Sequence, residues 1–179
     1  MMNKIGLIVE GDSDKLFFEH YFKPNFIRNL KVRTSGTKGT CKILNAKTVE
    51  SHVKALRLQN CIKIFILIDL KTQCDSVTYE CILKLKEWYK SKIKVSNDSD
   101  VSDVIVTVVS KDIEAWMMSA WENSDNKSKS DLKKKFELEL QKKKSLNEKE
   151  IFNKFSNSRI SIKKENNKSL NYFFSKLGL

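Results

Sequence analysis

The amino-acid sequence predicts an α/β fold with a mainly parallel four-stranded sheet flanked by helices, followed by a basic helical C-terminal extension. Short apolar, β-branched runs alternate with segments of helical spacing, a pattern that favours parallel strands joined by crossover helices. Charge is distributed unevenly: residues 127–179 carry 15 Lys or Arg against 6 Asp or Glu, and residues 1–126 carry 19 against 16. We therefore predict an α/β domain at 1–124 and a basic extension at 125–179.

Four runs are predicted to be strands. The run 4–9 is short, apolar and partly β-branched, and it ends at Glu10. The run 30–34 alternates between apolar and polar residues, as a half-buried strand does. The run 62–68 is the most apolar in the chain, which is typical of a central parallel strand buried on both faces. The run 104–109 supplies the fourth strand.

Helical spacing fills the intervals between these strands. The first helix is predicted at 15–22 and should end near Phe22, because Pro24 disfavours helical conformation at the residue before it. Trp116 and Trp121 are predicted to be core or interface residues rather than platforms for stacked bases. The other predicted helices lie at 41–58, 78–92, 113–121, 131–144, 146–155 and 168–177.

The composition argues against membrane and zinc-finger proteins. No apolar run approaches the length that a bilayer requires, and the first residues lack the pattern of a signal peptide, so we expect a cytoplasmic protein without a membrane partner. No Cys-x-x-Cys pair occurs, and neither His20 nor His52 lies near a cysteine. Four reduced thiols are expected, at Cys41, Cys61, Cys74 and Cys81.

Acidic residues follow three of the predicted strands. In an open parallel sheet, ligands bind beyond the carboxyl ends of the strands. Glu10 ends the first strand, Asp69 ends the third, and Asp112 and Glu114 lie just beyond the fourth. Asp14 lies one turn into the first helix and can lean toward the same edge. Carboxylates brought together repel one another unless a cation is present, and Mg²⁺ is the hard, oxygen-preferring cation that suits them.

Acids at strand ends also have an ordinary structural use, as helix N-caps and turn formers. For Asp12 and Asp75 this structural interpretation is as well supported as a functional one. Glu10 is different, because glutamate is a poor cap and this residue ends an apolar strand. Glu10 is therefore the strongest candidate ligand.

Two of these segments resemble motifs of the TOPRIM family. Residues 8–14 (Ile-Val-Glu-Gly-Asp-Ser-Asp), followed by a Phe-rich helix, resemble the first TOPRIM motif, with a spacing most similar to that of the overcoming-lysogenization-defect (OLD) nucleases. Residues 64–69 resemble the strand that delivers the family's Asp-x-Asp. Residues 110–116 are similar to a segment of small stand-alone proteins of this class. The resemblance covers roughly residues 4–122.

The resemblance implies a TOPRIM-like, Rossmannoid domain that cleaves phosphodiester bonds in DNA or RNA with Mg²⁺ or Mn²⁺. Carried over to the matching positions, it implies that Glu10 and Asp69 hold one metal ion. A second ion would use Asp14 and Glu114. Lys111 would offset negative charge on the transition state. The predicted catalytic residues are therefore Glu10, Asp69 and Lys111.

The chain departs from the family pattern at one position. Asp69-Leu70-Lys71 stands where the family has Asp-x-Asp, so a lysine replaces the second aspartate. Lys71 either meets a phosphate or marks a degenerate site, and Asp75 is an alternative substitute ligand. The second functional hypothesis is therefore a catalytically degenerate module that binds nucleic acid or a partner protein. A receiver-like domain ranks lower, because no lysine occurs in a Lys-Pro turn after a later strand.

The basic extension predicts an acidic partner, of which nucleic acid is the commonest. A solvated lysine-rich helix face is the alternative. By analogy with proteins of this class, a separately encoded ABC-type ATPase partner and a role in phage defence are expected. The sequence leaves open DNA versus RNA and the oligomeric state. The predicted nucleic-acid-binding residues are Lys71, Lys133, Lys134, Lys142 and Lys143.

Overall fold

A computed structural model divides the chain into two compact units, Met1–Val108 and Val109–Leu179, which we call the sheet unit and the helical unit. The predicted domain boundary at residue 124 lies further along the chain than this division. The structure describes residues 4–35, 43, 45–69, 73–74, 77–78, 84, 87, 91, 103–109, 112–139 and 147–179.

The strands and helices up to the division follow the predicted alternation. In chain order they are β1 (Lys4–Val9), α1 (Asp12–Leu16), a π-helical segment (Phe17–Phe22), α2 (Lys23–Asn25), β2 (Leu30–Thr34), α3 (Ala46–Leu58), β3 (Cys61–Asp69), β4 (Gln73–Cys74), β5 (Val77–Thr78) and β6 (Val104–Val109). Most of the helix predicted at 78–92 lies outside the described residues, although residues 84, 87 and 91 are helical.

The main sheet has the strand order β2-β1-β3-β6, and all four strands run parallel. Ile8 of β1 lies opposite Arg33 of β2 on one side and Ile66 of β3 on the other. A short antiparallel pair, β4 with β5, forms a separate ribbon. The predicted α/β class with a parallel four-stranded sheet is confirmed. This order brings the carboxyl ends of β1 and β3 side by side.

One face of the sheet packs on α3. Apolar side chains from the strands and from the helix form one common core there. Asn45 caps the start of α3, because its side chain accepts a hydrogen bond from the backbone N–H of Thr48 at 3.1 Å. Burial raises the pKa of the Cys61 thiol in this core. The core residues are Ile8, Ile43, Val49, Val53, Leu56, Cys61, Ile64, Ile66, Ile68 and Val108.

Gly6 of β1 lets α3 approach the sheet closely. A Cβ atom built at this position would lie 2.9 Å from Cδ1 of Leu56 and 3.3 Å from Cγ1 of Ile64. Any larger residue would therefore have to displace the helix or its side chains. The glycine sets the spacing between β1 and α3.

The prediction that the first helix ends near Phe22 is wrong, because helical structure continues to Asn25. The turn at Phe17–Phe22 is π-helical, and the backbone N–H of Lys23 donates to the carbonyl oxygen of Phe18. Pro24 then falls in the first turn of the next α-helical segment, where a missing N–H is tolerated. The widened turn thus lets the chain pass a proline without leaving the helix.

The helical unit contains α4 (Ile113–Met118), α5 (Lys129–Glu139), α6 (Glu148–Asn157), a 3₁₀ turn (Lys164–Asn166) and α7 (Lys168–Leu177). Trp116 is fully buried and stacks on Phe173 with 5.1 Å between ring centroids. Trp121 makes edge contacts with Phe136 and Phe155. The buried position of Trp116 agrees with its predicted core or interface role.

A buried polar network joins α4 to α7 within the helical unit. The indole N–H of Trp116 donates to the hydroxyl of Ser169 at 2.8 Å, and that hydroxyl donates to Oδ1 of Asn167 at 2.8 Å. Asn167, 1% exposed, also caps α7 by accepting from the backbone N–H of Leu170, and its amide donates to the hydroxyl of Ser124. Since every link is a hydrogen bond away from water, the network fixes how these helices meet.

Candidate functional site at the carboxyl edge of the sheet

Glu10 follows β1 directly and is half-buried. Its backbone is held by the end of β2: the hydroxyl of Ser35 donates to the carbonyl oxygen of Glu10 at 3.3 Å, and the backbone N–H of Ser35 donates to the carbonyl oxygen of Val9 at 2.9 Å. These bonds continue the β1–β2 ladder past the last paired residues. The position of the Glu10 backbone at the sheet edge is therefore fixed by two elements.

Asp69 is the last residue of β3 and is also half-buried. Ile8 and Ile66 are register partners, so Glu10 follows that pair by two residues, just past the end of β1, and Asp69 follows it by three, at the end of β3. Neighbouring strands are about 4.8 Å apart. The two carboxylate-bearing residues therefore leave the same edge of the sheet from adjacent strands.

Asp14 has a structural use at the start of the first helix. Its Oδ2 accepts a hydrogen bond from the backbone N–H of Gly11 at 3.1 Å. Gly11 is the N-cap residue of α1 and has extended backbone angles. One oxygen of Asp14 therefore stabilises the turn that connects Glu10 to the helix, one turn from the edge where Glu10 lies.

Asp112 and Glu114 belong to the helical unit. Asp112 is the N-cap of α4: its Oδ1 accepts from the backbone N–H of Ala115 at 3.1 Å, and its Oδ2 accepts from the backbone N–H of Lys129 at 3.2 Å. The structural use of strand-end acids thus applies to Asp112. Glu114 is only 6% exposed, an unusual position for a carboxylate.

The predicted cationic residues are described only in part. Lys71, Lys111, Lys142 and Lys143 lie outside the described residues, as does Asp75. Lys134 is exposed on α5, and Lys133 beside it is half-buried.

The start of α5 holds a carboxylate next to these lysines. Hydrogen bonds from the hydroxyl and the backbone N–H of Ser128 lower the pKa of Asp131, and the charges of Lys127 and Lys134 add to this effect. Part of the positive charge at this end of α5 is therefore offset by Asp131.

Other cations of the helical unit lie against aromatic rings. The ammonium group of Lys135 is 5.7 Å from the centre of the Trp121 ring, and that of Lys176 is 5.4 Å from the Tyr172 ring. Lys164 lies 6.0 Å from the Phe174 ring and donates to the carbonyl oxygen of Leu179 at 2.8 Å. These contacts place the three ammonium groups over aromatic rings, where each gains a modest cation–π attraction.

The acidic residues at the sheet edge have the donor chemistry that hard divalent cations prefer. Across the described residues, no group of three or more His, Cys, Asp or Glu side chains is arranged to hold a metal ion. Mg²⁺, however, usually takes one or two carboxylates and completes its shell with water and substrate phosphate. Glu10 and Asp69 supply two oxygen-donor groups of this chemical type, whereas Asp14 already uses one oxygen for the helix.

Sequence reasoning missed one pair beside this edge. Nε of Arg33, on β2, donates a hydrogen bond to Nδ1 of His52, on α3, at 3.1 Å. Burial, with a further contribution from the charge of Arg33, lowers the pKa of His52, so the imidazole is neutral at pH 7. The alternation of β2 could have placed Arg33 on the α3 side of the sheet, but nothing in the sequence indicated its partner.

No family model, curated protein or solved structure matches this chain. In the part of the chain that the structure describes, no helix is both long and apolar enough to cross a membrane.

Proposed function

We propose that the protein is a metal-dependent nuclease of TOPRIM type that cleaves phosphodiester bonds in DNA or RNA. The observation that carries the proposal is the placement of Glu10 and Asp69 at the ends of adjacent parallel strands. This is the edge at which open α/β sheets bind their ligands. The motif resemblance of the segments around both residues supports the same function.

In this proposal Glu10 and Asp69 hold Mg²⁺ or Mn²⁺, which when bound stabilises charge on the phosphate and activates water. The motif resemblance alone assigns Asp14 and Glu114 to a second ion, and Lys111 or Lys71 to offsetting negative charge near the scissile group. The protein's own contribution is to hold the Glu10 backbone through Ser35 and to place Asp69 at the end of the adjacent parallel strand.

The lysine-rich extension supports nucleic acid as the substrate class. Its net charge of +9 over residues 127–179 supplies phosphate contacts that do not depend on sequence. Lys133 and Lys134 on α5, with Lys142 and Lys143 beyond it, are the proposed contacts there. The TOPRIM resemblance extends the proposal to a separate ABC-type ATPase partner and to phage defence.

A degenerate, non-catalytic module is the second candidate, and two observations favour it. Asp14 serves as a helix-start anchor through Gly11, and Lys71 replaces the second acid of the motif. Such a protein would keep the fold and bind nucleic acid or a partner protein without turnover. Binding that is unaffected by EDTA, with no cleavage, is its signature.

The test is a cleavage assay on single- and double-stranded DNA and RNA with EDTA, Mg²⁺ or Mn²⁺. We expect metal-dependent cleavage that falls at least 100-fold in Glu10→Gln and in Asp69→Asn, because each change removes an anionic ligand. Glu19→Gln is the matched control, because it also removes one negative charge. Glu19 lies on the π-helical segment, and its carboxylate contacts the ammonium group of Lys15. Equal activity in the site variants and the control would contradict the nuclease proposal.

A further inference from the structure

The partner of Arg33 is unusual for an arginine near a sheet edge. The guanidinium group is half-buried, yet its hydrogen bond goes to a neutral imidazole instead of a carboxylate. The ion pairs found among the described residues do not include Arg33. Among the described residues, its charge is therefore not neutralised by a carboxylate in an ion pair.

Arg33 lies beside the candidate site. It is the register partner of Ile8, and Glu10 follows Ile8 by two residues along the same strand. Two residues of a strand span about 6.6 Å, which is within the reach of an extended arginine side chain. Ile8 belongs to the core against α3, and the contact of Arg33 with His52 puts its side chain on the same face.

The hydrogen bond to His52 also fixes the orientation of the guanidinium group. It occupies Nε and leaves the four N–H donors of the two terminal nitrogens out of this bond. A planar pair of donors matches two oxygens of a phosphate group. His52 can accept this bond only while it is neutral, and burial together with the Arg33 charge keeps it so at pH 7.

We propose that Arg33 binds a backbone phosphate of the nucleic acid next to the edge formed by Glu10 and Asp69, and that His52 is the positioning residue that aims it. This inference rests on the proposed function for its substrate class. It needs nucleic-acid binding at this edge but does not need cleavage. Binding and cleavage can therefore be measured separately.

The experiment measures the affinity of the full chain for a fluorescein-labelled oligonucleotide in EDTA over a range of salt concentrations. Arg33→Gln should weaken binding roughly ten-fold, since a charge-assisted hydrogen bond is lost, and should reduce the salt slope by about one. Lys31→Gln is the matched control on the same strand and face, two residues further from the edge. It should have a smaller effect.

The role of His52 is tested by a pair of substitutions. His52→Gln keeps a hydrogen-bond acceptor and should retain most of the affinity, whereas His52→Leu removes the acceptor and should approach the loss seen in Arg33→Gln. Thermal melts of all variants show whether each remains folded. Arg33→Lys, which keeps the charge but not the fork of donors, should fall between wild type and Arg33→Gln.

The outcomes separate the two proposals. A wild type that never cleaves would contradict the proposed nuclease function. Weak binding in Arg33→Gln would still support the phosphate contact. Equal losses in Arg33→Gln and Lys31→Gln would overturn the inference, even if cleavage depends on Glu10. A wild type that binds no oligonucleotide would overturn it as well.

Discussion

The sheet unit and the helical unit place their polar groups in opposite ways. Among the described residues, the buried polar side chains of the sheet unit are Ser35 and Thr107, whereas the helical unit buries Glu114, Ser119, Ser124, Asn167 and Ser169. In the helical unit, serine and asparagine side chains bond one another and the main chain. The sheet unit keeps an apolar core and carries its acids at strand ends.

The difference separates stability from chemistry. Polar groups that are buried and mutually bonded hold a fold together but are not accessible to a ligand. Polar groups at the ends of rigid strands contribute less to the fold and remain within reach of solvent. Glu10 and Asp69 are of the second kind, and Asn167 is of the first. Substitution of Asn167 should therefore affect mainly stability, whereas substitution of Glu10 or Asp69 should affect mainly ligand binding.

The largest expected effect on stability is in the helical unit. Asn167→Ala removes the cap of α7 and leaves the hydroxyls of Ser124 and Ser169 without their amide partner. We expect a loss of about 2 to 3 kcal/mol in the free energy of unfolding, measured by urea denaturation. Asn171→Ala, at an exposed position of the same helix, is the control and should change little. Similar losses in both variants would contradict a stabilising network.

A smaller effect is expected from the ion pair that ties α3 to the start of β6. Arg57 donates to Asp103 through Nε at 3.2 Å and through a terminal nitrogen at 2.9 Å. The pair is about one quarter exposed, so solvent weakens it, and we expect Arg57→Met to cost about 1 kcal/mol. Lys54→Met, an exposed position of the same helix, supplies the baseline. A cost no greater than that baseline would show that the two-bond geometry contributes nothing.

The lowered pKa of His52 should make the stability of the protein depend on pH. Its pKa in the folded protein lies below the usual value of 6.5, so the native state binds fewer protons than the unfolded chain as the medium is acidified. The stabilising contribution is complete above pH 6.5 and is lost as the pH falls from there toward the folded pKa. Between pH 7.5 and 5.5, urea midpoints should fall further in wild type than in His52→Gln. Parallel curves would mean that His52 titrates alike in both states.

The smallest effect is expected at Thr107 on β6. Its hydroxyl is fully buried and has no hydrogen-bond partner. No other buried side-chain nitrogen or oxygen atom of the described residues lacks a partner. Thr107→Val replaces the hydroxyl with a methyl group of similar size, so stability should stay unchanged or rise by up to about 1 kcal/mol. Differential scanning calorimetry can measure this. A clear loss of stability would show that the hydroxyl is bonded in solution.

The sequence predicted what local patterns determine. Apolar runs located all four strands of the sheet, and the parallel order followed from their alternation with helices. The helix predicted at 41–58 is present from Ala46 to Leu58. The predicted first helix was shorter than the observed one. The steric rule for the residue before Pro24 places a helix end there and does not anticipate a π-helical turn.

The candidate site was predictable only in part. Glu10 and Asp69 were identifiable because each follows an apolar strand, and strand ends gather at one edge. Whether an acid in a turn binds a ligand or caps a helix depends on backbone donors that sequence does not locate, as Asp112 shows. The pairing of Arg33 with His52 depends on how β2 and α3 pack, which is a long-range property.

The central claim is that the edge formed by Glu10 and Asp69 holds a divalent metal ion. Mn²⁺ binding, followed by electron paramagnetic resonance on the full chain, tests it directly and without reference to turnover. We expect wild type and Glu19→Gln to bind Mn²⁺ with the same affinity, and Glu10→Gln and Asp69→Asn to lose at least ten-fold. Undiminished Mn²⁺ binding in both site variants, or none in wild type, would contradict the claim.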